Sequence, residues 1–177
     1  MKAKQATPKA MTKTKTLSHH SHYVENTLRH VFLSDLCRAL WQRDHTKRLH
    51  IYNNEVDDAG FDLVIGLGSI VRHVQLKARN TAGRARSISA HTALASAQGG
   101  CVVWMFFSTD TLAIEHYRFF GQPSGVAMTD ISHLPAVLTQ RRDILGQRSV
   151  RPHHRTIRRS DFSQPLGIEE LIDALFQ

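Results

Sequence analysis

The sequence predicts an α/β fold: a mixed central β-sheet flanked by helices. Three observations carry this. Apolar residues recur at three- and four-residue steps over residues 23–41; two strand-like segments alternate around a Gly-Ser pair at 68–69; and residues 101–107 form an unbroken apolar run of the kind a strand buried on both faces shows. With 177 residues, 41% of them hydrophobic, the chain suits one core, so residues 21–177 are expected to form a single domain.

Residues 1–20 carry Lys2, Lys4, Lys9, Lys13 and Lys15, no acid and few large apolar groups, and they read as a disordered basic tail. His19, His20 and His22 lack a second anchoring group and are left out of any metal site. From 23 to 41, Val24, Leu28, Val31, Phe32, Leu36, Ala39 and Leu40 make one buried helix face, with Arg29, Arg38 and Arg43 toward solvent. Glu25 lies at the stripe's edge near the helix start, where a carboxylate also suits the helix dipole.

Residues 49–53 read as a short strand, 54–60 as a polar turn, and 61–67 and 70–78 as two further strands. Gly68-Ser69 suits a two-residue type II′ loop that pairs Leu67 with Ile70, and that register sets Asp62 opposite Gln75. Residues 79–87 are a basic loop, 88–98 a helix of small residues, and 101–107 a buried strand, so a parallel crossover is expected. A strand over 112–120 follows the 108–111 turn, and residues 168–176 form an amphipathic helix behind Pro165 and Gly167. The sequence contains no P-loop, GxGxxG or GxSxG signature.

Lys and Arg number 23 against 15 Asp and Glu, a formal +8, which favours polyanions, nucleic acid ahead of an anionic membrane surface. Cys37 and Cys101 are isolated among apolar residues, so both are expected to be core thiols in a reducing compartment. No apolar run approaches the roughly 18 residues of a spanning helix, and a cytoplasmic protein without membrane contact is expected.

In the 74–78 strand, Gln75 and Lys77 share one face and Val74, Leu76 and Ala78 the other; in 61–65, Asp62 joins the polar face, with Phe61, Leu63 and Ile65 opposite. Such a cluster suits phosphodiester hydrolysis, since a hard divalent cation needs oxygen ligands and an attacking water must be held beside the phosphate. Glu25, Asp62, the Gln75 side-chain oxygen and the Leu76 carbonyl are candidate ligands for Mg²⁺ or Mn²⁺, and Lys77 would orient the water or stabilise charge on the phosphate. The competing reading is a diagonal Asp62–Lys77 ion pair with Gln75 on a solvated sheet face.

A helix bearing Glu25, then Gly60-Phe61-Asp62-Leu63-Val64-Ile65, then Val74-Gln75-Leu76-Lys77 resembles the PD-(D/E)XK nuclease superfamily in its QxK variant, over about residues 20–120. The resemblance implies a restriction endonuclease-like core and metal-dependent DNA cleavage. Asp62 would bridge the metal, Gln75 would stand where Asp or Glu is usual, Lys77 would be the motif lysine and Glu25 the helix carboxylate. No proline precedes Asp62, and Gln75 lowers the charge of the site.

Arg79, Arg84 and Arg86 directly follow Lys77, and the 141–159 segment adds Arg151, Arg155 and Arg158; these are the expected phosphate contacts, with a solvated basic linker as the plainer reading of the second group. The leading expectation is a Mg²⁺- or Mn²⁺-dependent DNA endonuclease, with a homodimer as the candidate assembly. Its rivals are a nuclease-fold module that binds DNA without cutting it and a regulatory partner protein with no DNA role.

Overall fold

The computed structural model describes residues 20–53, 60–142 and 144–177. The expected basic tail, apart from His20, and the expected turn at 54–60, apart from Gly60, lie outside the described residues. Helix α1 (Ser21–Arg43) buries Val24, Leu28, Phe32, Leu36, Ala39 and Leu40, the predicted stripe except for the half-buried Val31.

Behind it lies a five-stranded mixed sheet built from β1 (Leu49–Asn53), β2 (Leu63–Leu67), β3 (Ile70–Asn80), β5 (Gly100–Phe107) and β6 (Ile114–Gly121), in the order β1-β2-β3-β5-β6. Strands β3 and β5 are parallel and the other neighbours antiparallel. Leu67 pairs with Ile70 across Gly68-Ser69, and the register runs on as predicted to Leu63 opposite Val74. Gly68 has φ +60, the positive value that the first position of a two-residue hairpin loop requires.

The two sheet faces are covered differently. Leu63, Ile65, Val74, Val103, Met105 and Tyr117 pack against α1 and the terminal helix α2 (Ile168–Phe176). Among the described residues the opposite face, with Val102, Trp104 and Phe106, meets no α-helix; it is covered by Leu94, Met128, Ile131 and Phe162 and by Ala90 and Ile157 of a second, three-stranded sheet of β4 (Ser87–His91), β7 (Ala136–Arg142) and β8 (Arg148–Arg158), in the order β4-β8-β7. The fold is thus α/β, with helices on one face and a small antiparallel sheet on the other. Strand β5, covered on both sides, is buried at every residue.

The helix expected at 88–98 is instead β4 followed by a 3-10 turn, Thr92–Ser96. Ile88 and Ala90 alternate with Ser87, Ser89 and His91, a strand period, and Ala90 and Leu94 are fully buried in the second cluster. The basic 141–159 segment is mostly strand, β8, and not a linker. Cys101 is buried as expected, and burial pushes its thiol up to about 12, but Cys37 is exposed. Arg43, expected in solvent, bonds Glu169 and Asp173 and donates to the Glu169 carbonyl at 2.6 Å, tying α1 to α2. Among the described residues no helix is long and apolar enough to cross a membrane.

Arg72 on β3 is completely buried. It donates to the carbonyls of Leu175 at 2.6 Å, Gln122 at 3.0 Å and Ala174 at 3.3 Å. Two of these belong to the last turn of α2, where carbonyls lack helical partners and the dipole is negative. The guanidinium therefore fastens the C-terminal helix to the sheet. Arg72→Met should cost about 3 kcal/mol in urea denaturation, because several buried carbonyls lose a charged donor together; a loss under about 0.5 kcal/mol would show that the helix is held by apolar packing alone.

Candidate functional site

Strand β3 is longer than the strand beside it. On the β5 side it is paired from His73 to Asn80, but on the β2 side the ladder stops at Leu63 opposite Val74. The pair expected next, Asp62 with Gln75, does not form. The Asp62 N–H donates to the Val74 carbonyl at 2.9 Å, a one-residue slip, and the Asp62 Oδ2 accepts the Leu76 N–H at 2.5 Å. A carboxylate thus stands where a strand partner would be. The N–H and C=O of one strand residue leave on the same side, so the Leu76 carbonyl faces this open edge too.

The slip changes which face each side chain takes. Phe61, expected beside Leu63 and Ile65, instead packs on the second cluster and meets His73 edge-on, with ring centroids 4.7 Å apart. His73 also bonds the Gln98 carbonyl through Nδ1 at 2.6 Å, so its part is structural.

At the open edge lies a cavity of about 430 Å³ lined by His22, Glu25, Asn26 and Arg29 of α1, by Phe61 and Asp62, by Leu76, Lys77 and Ala78 of β3, and by Met105. The structure therefore brings Glu25, Asp62, Leu76 and Lys77 to one place, although Glu25 and Asp62 are nearly forty residues apart in sequence. Sequence reasoning found Glu25 but missed His22, Asn26 and Arg29. Their spacing from Glu25, three before, one after and four after, marks a single helical face and was available to find them.

Gln75 is not in the lining. It points to the face of the second cluster, opposite Val102, is 7% exposed, and its Oε1 has no hydrogen-bond partner among the described residues. Lys77 shares that strand face but reaches the cavity, as a long side chain at an open edge can. Among the described residues no group of three or more His, Cys, Asp or Glu side chains gathers in metal-binding geometry.

The expected phosphate contacts divide. Arg79, Arg84, Arg86, Arg151 and Arg158 are exposed. Arg155 is half-buried, and its guanidinium is used within the fold, on the carbonyls of Ser132 at 2.9 Å and Pro152 at 2.7 Å. Its part in the architecture is to hold the 132 loop against β8.

Gly60 shapes the approach to the site. It has φ +75, and a Cβ there would lie 2.6 Å from the Cβ of His91 on β4. Only glycine lets β4 close against the segment that carries Asp62. Gly60→Ala should therefore lose more stability than Gly68→Ala, which has φ +60 but open space around it. About 1–2 kcal/mol is expected at Gly68 from strain alone, with a larger loss at Gly60. Equal losses in urea denaturation would mean that the His91 contact does not constrain the segment.

No family model, no curated protein and no solved structure matches the chain.

Proposed function

We propose that this chain is a metal-dependent DNA endonuclease of the PD-(D/E)XK kind, with its active site in the open-edge cavity. The observation that carries the reading is the meeting of Glu25, Asp62, the Leu76 edge and Lys77 in one cavity of about 430 Å³. Two carboxylates and a main-chain carbonyl are hard oxygen donors, the set that Mg²⁺ or Mn²⁺ takes. A group of three acidic or imidazole side chains is not needed for such a cation, because carbonyls and water complete its shell.

A bound cation would supply an activated water and neutralise charge on the phosphate. Glu25 and Asp62 would hold it from two sides of the cavity, one on α1 and the other beside β3. The Leu76 N–H fixes the Asp62 carboxylate, so that this ligand is oriented before anything binds. Lys77 would meet the phosphate and stabilise the negative charge that grows as the bond to the leaving oxygen breaks. Arg79, Arg84 and Arg86, exposed just past Lys77, would follow the DNA backbone. A homodimer would present two such cavities, one for each strand.

A second reading, a nuclease-fold module that binds DNA without cutting, is favoured by one observation: Gln75 lies outside the cavity lining, which leaves two carboxylates there. Cleavage of supercoiled and linear DNA with Mg²⁺, Mn²⁺ or EDTA separates the readings. Wild type should nick with either metal and stop in EDTA, and Asp62→Ala and Lys77→Ala should each fall by about 10²-fold or more. Tight, salt-sensitive binding without cleavage in any metal would assign the chain to the second reading.

A further inference from the structure

Strand β8 pairs with β4 only from His154 to Arg158. Toward the N-terminal end of β8, from Arg148 to Pro152, its strand partners among the described residues lie in β7: Val137 faces Arg151, Leu138 faces Val150 and Arg142 faces Arg148; His153 still meets the body, its carbonyl accepting from the Thr92 hydroxyl at 3.4 Å. Every described residue from 141 to 153 is exposed. Beyond Val137 and His153, where it meets the body, the hairpin is therefore a two-stranded arm with exposed described residues from 141 to 152. It projects roughly 16 Å at about 3.3 Å per residue.

An uncovered two-stranded ribbon is marginal by itself, and this one ends in apolar side chains: Ile144 is 105% and Leu145 84% exposed. Behind this tip the shaft is cationic, with Arg141, Arg142, Arg148 and Arg151 and, between residues 136 and 158, a single acid, Asp143. Arg142 stands directly opposite Arg148, a like-charge pair that destabilises a free hairpin and is relieved by an anion. A basic shaft with an apolar tip is complementary to a duplex, whose phosphates take arginine contacts and whose base steps accept apolar wedges from the minor groove.

The arm is rooted near the segment that carries Asp62. Gly60 lies against His91, the His91 and His154 rings are 5.0 Å apart, and the Arg151 Nη2 is 2.8 Å from the His154 Nε2. Packed side chains thus run from the chain just before Asp62 to the base of the ribbon.

We propose that the β7–β8 hairpin is a DNA arm, whose arginines grip the duplex phosphates while Ile144 and Leu145 wedge against a base step and bend the duplex. The choice of DNA rests on the nuclease reading above; the arm and its anionic partner rest on the arm's own geometry and charge.

The test uses the full chain in EDTA with a 30-base-pair duplex labelled at both ends, reading affinity by anisotropy over a salt series and bending by energy transfer. Replacing Arg141, Arg142, Arg148 and Arg151 with Gln should lower affinity at least tenfold and reduce the slope of log affinity against log salt by about 3. Ile144→Ser with Leu145→Ser should keep the slope and lose the bend. All six positions are exposed, so circular dichroism should match wild type. An unchanged slope in the arginine variant, or an unchanged bend in the tip variant, overturns the proposal. So does a tip variant that dissociates a dimer while binding DNA as before, which would make the tip a contact between two copies. Tighter binding to duplex RNA of the same sequence reassigns the arm to RNA. Because no cleavage is read, a protein that bends DNA but never cuts it sinks the nuclease reading alone, and one that cuts with its slope unchanged in the arginine variant sinks the arm alone.

Discussion

Strand β3 outruns its neighbour β2, and the candidate site depends on that mismatch. From Gln75 onward β3 is paired to β5 alone, so alternate backbone groups on its other side lack a strand partner. At Leu76 the Asp62 carboxylate takes that place. One hydrogen bond thus closes part of an open sheet edge, fixes an acidic side chain in the plane of the sheet, and leaves room for α1 to bring Glu25 and Arg29 to the same cavity. The other end of the sheet is treated differently: the outer edge of β6 is covered where Tyr117 and Leu166 exchange backbone hydrogen bonds, both 2.9 Å. An edge left open in one place and covered in another is an arrangement suited to admitting a ligand.

The layers on either side hold this edge in position. Strand β5 is the common wall, its odd-numbered residues facing the helices and its even-numbered residues facing the small sheet. Arg72 and Arg43 fasten α2, the former through its last-turn carbonyls and the latter through Glu169 and Asp173. With α2 held, α1 is braced along its C-terminal half, and its N-terminal turns are left to border the cavity. On the other face, His91 closing against Gly60 presses β4 toward the segment that carries Asp62. The site is therefore framed from both faces of one sheet.

Much of this frame is legible in the sequence where local and tertiary preferences agree. The α1 stripe, the Gly68-Ser69 turn with its register, the unbroken 101–107 run and the 168–176 helix each carry one period and one burial pattern. Residues 88–98 do not, because Ala and Ser fit helix and strand alike, and only the partners of Ile88 and Ala90 decide. The 141–159 segment reads by its charge as a phosphate-contacting stretch or a solvated linker, and its strand character goes unread, although Val150, Thr156 and Ile157 are strand formers. The slip at Asp62 leaves no local mark; it reverses the face of Phe61 and takes Gln75 off the cavity, so four of the expected chemical groups were found together and one was misplaced. Arg72 was not recognisable as a buried fastener, since its three carbonyl partners lie fifty or more residues away.

On the proposed reading, the open edge of β3 would hold a divalent cation. The most direct test is the anomalous difference density of crystals soaked in Mn²⁺, compared between wild type and Asp62→Asn. A peak is expected in the cavity within coordination distance of Asp62, Glu25 and the Leu76 carbonyl, about 2.0–2.3 Å, and its loss in the variant. No peak there in wild type, or a peak only among the histidines of β4 and β8, would contradict it.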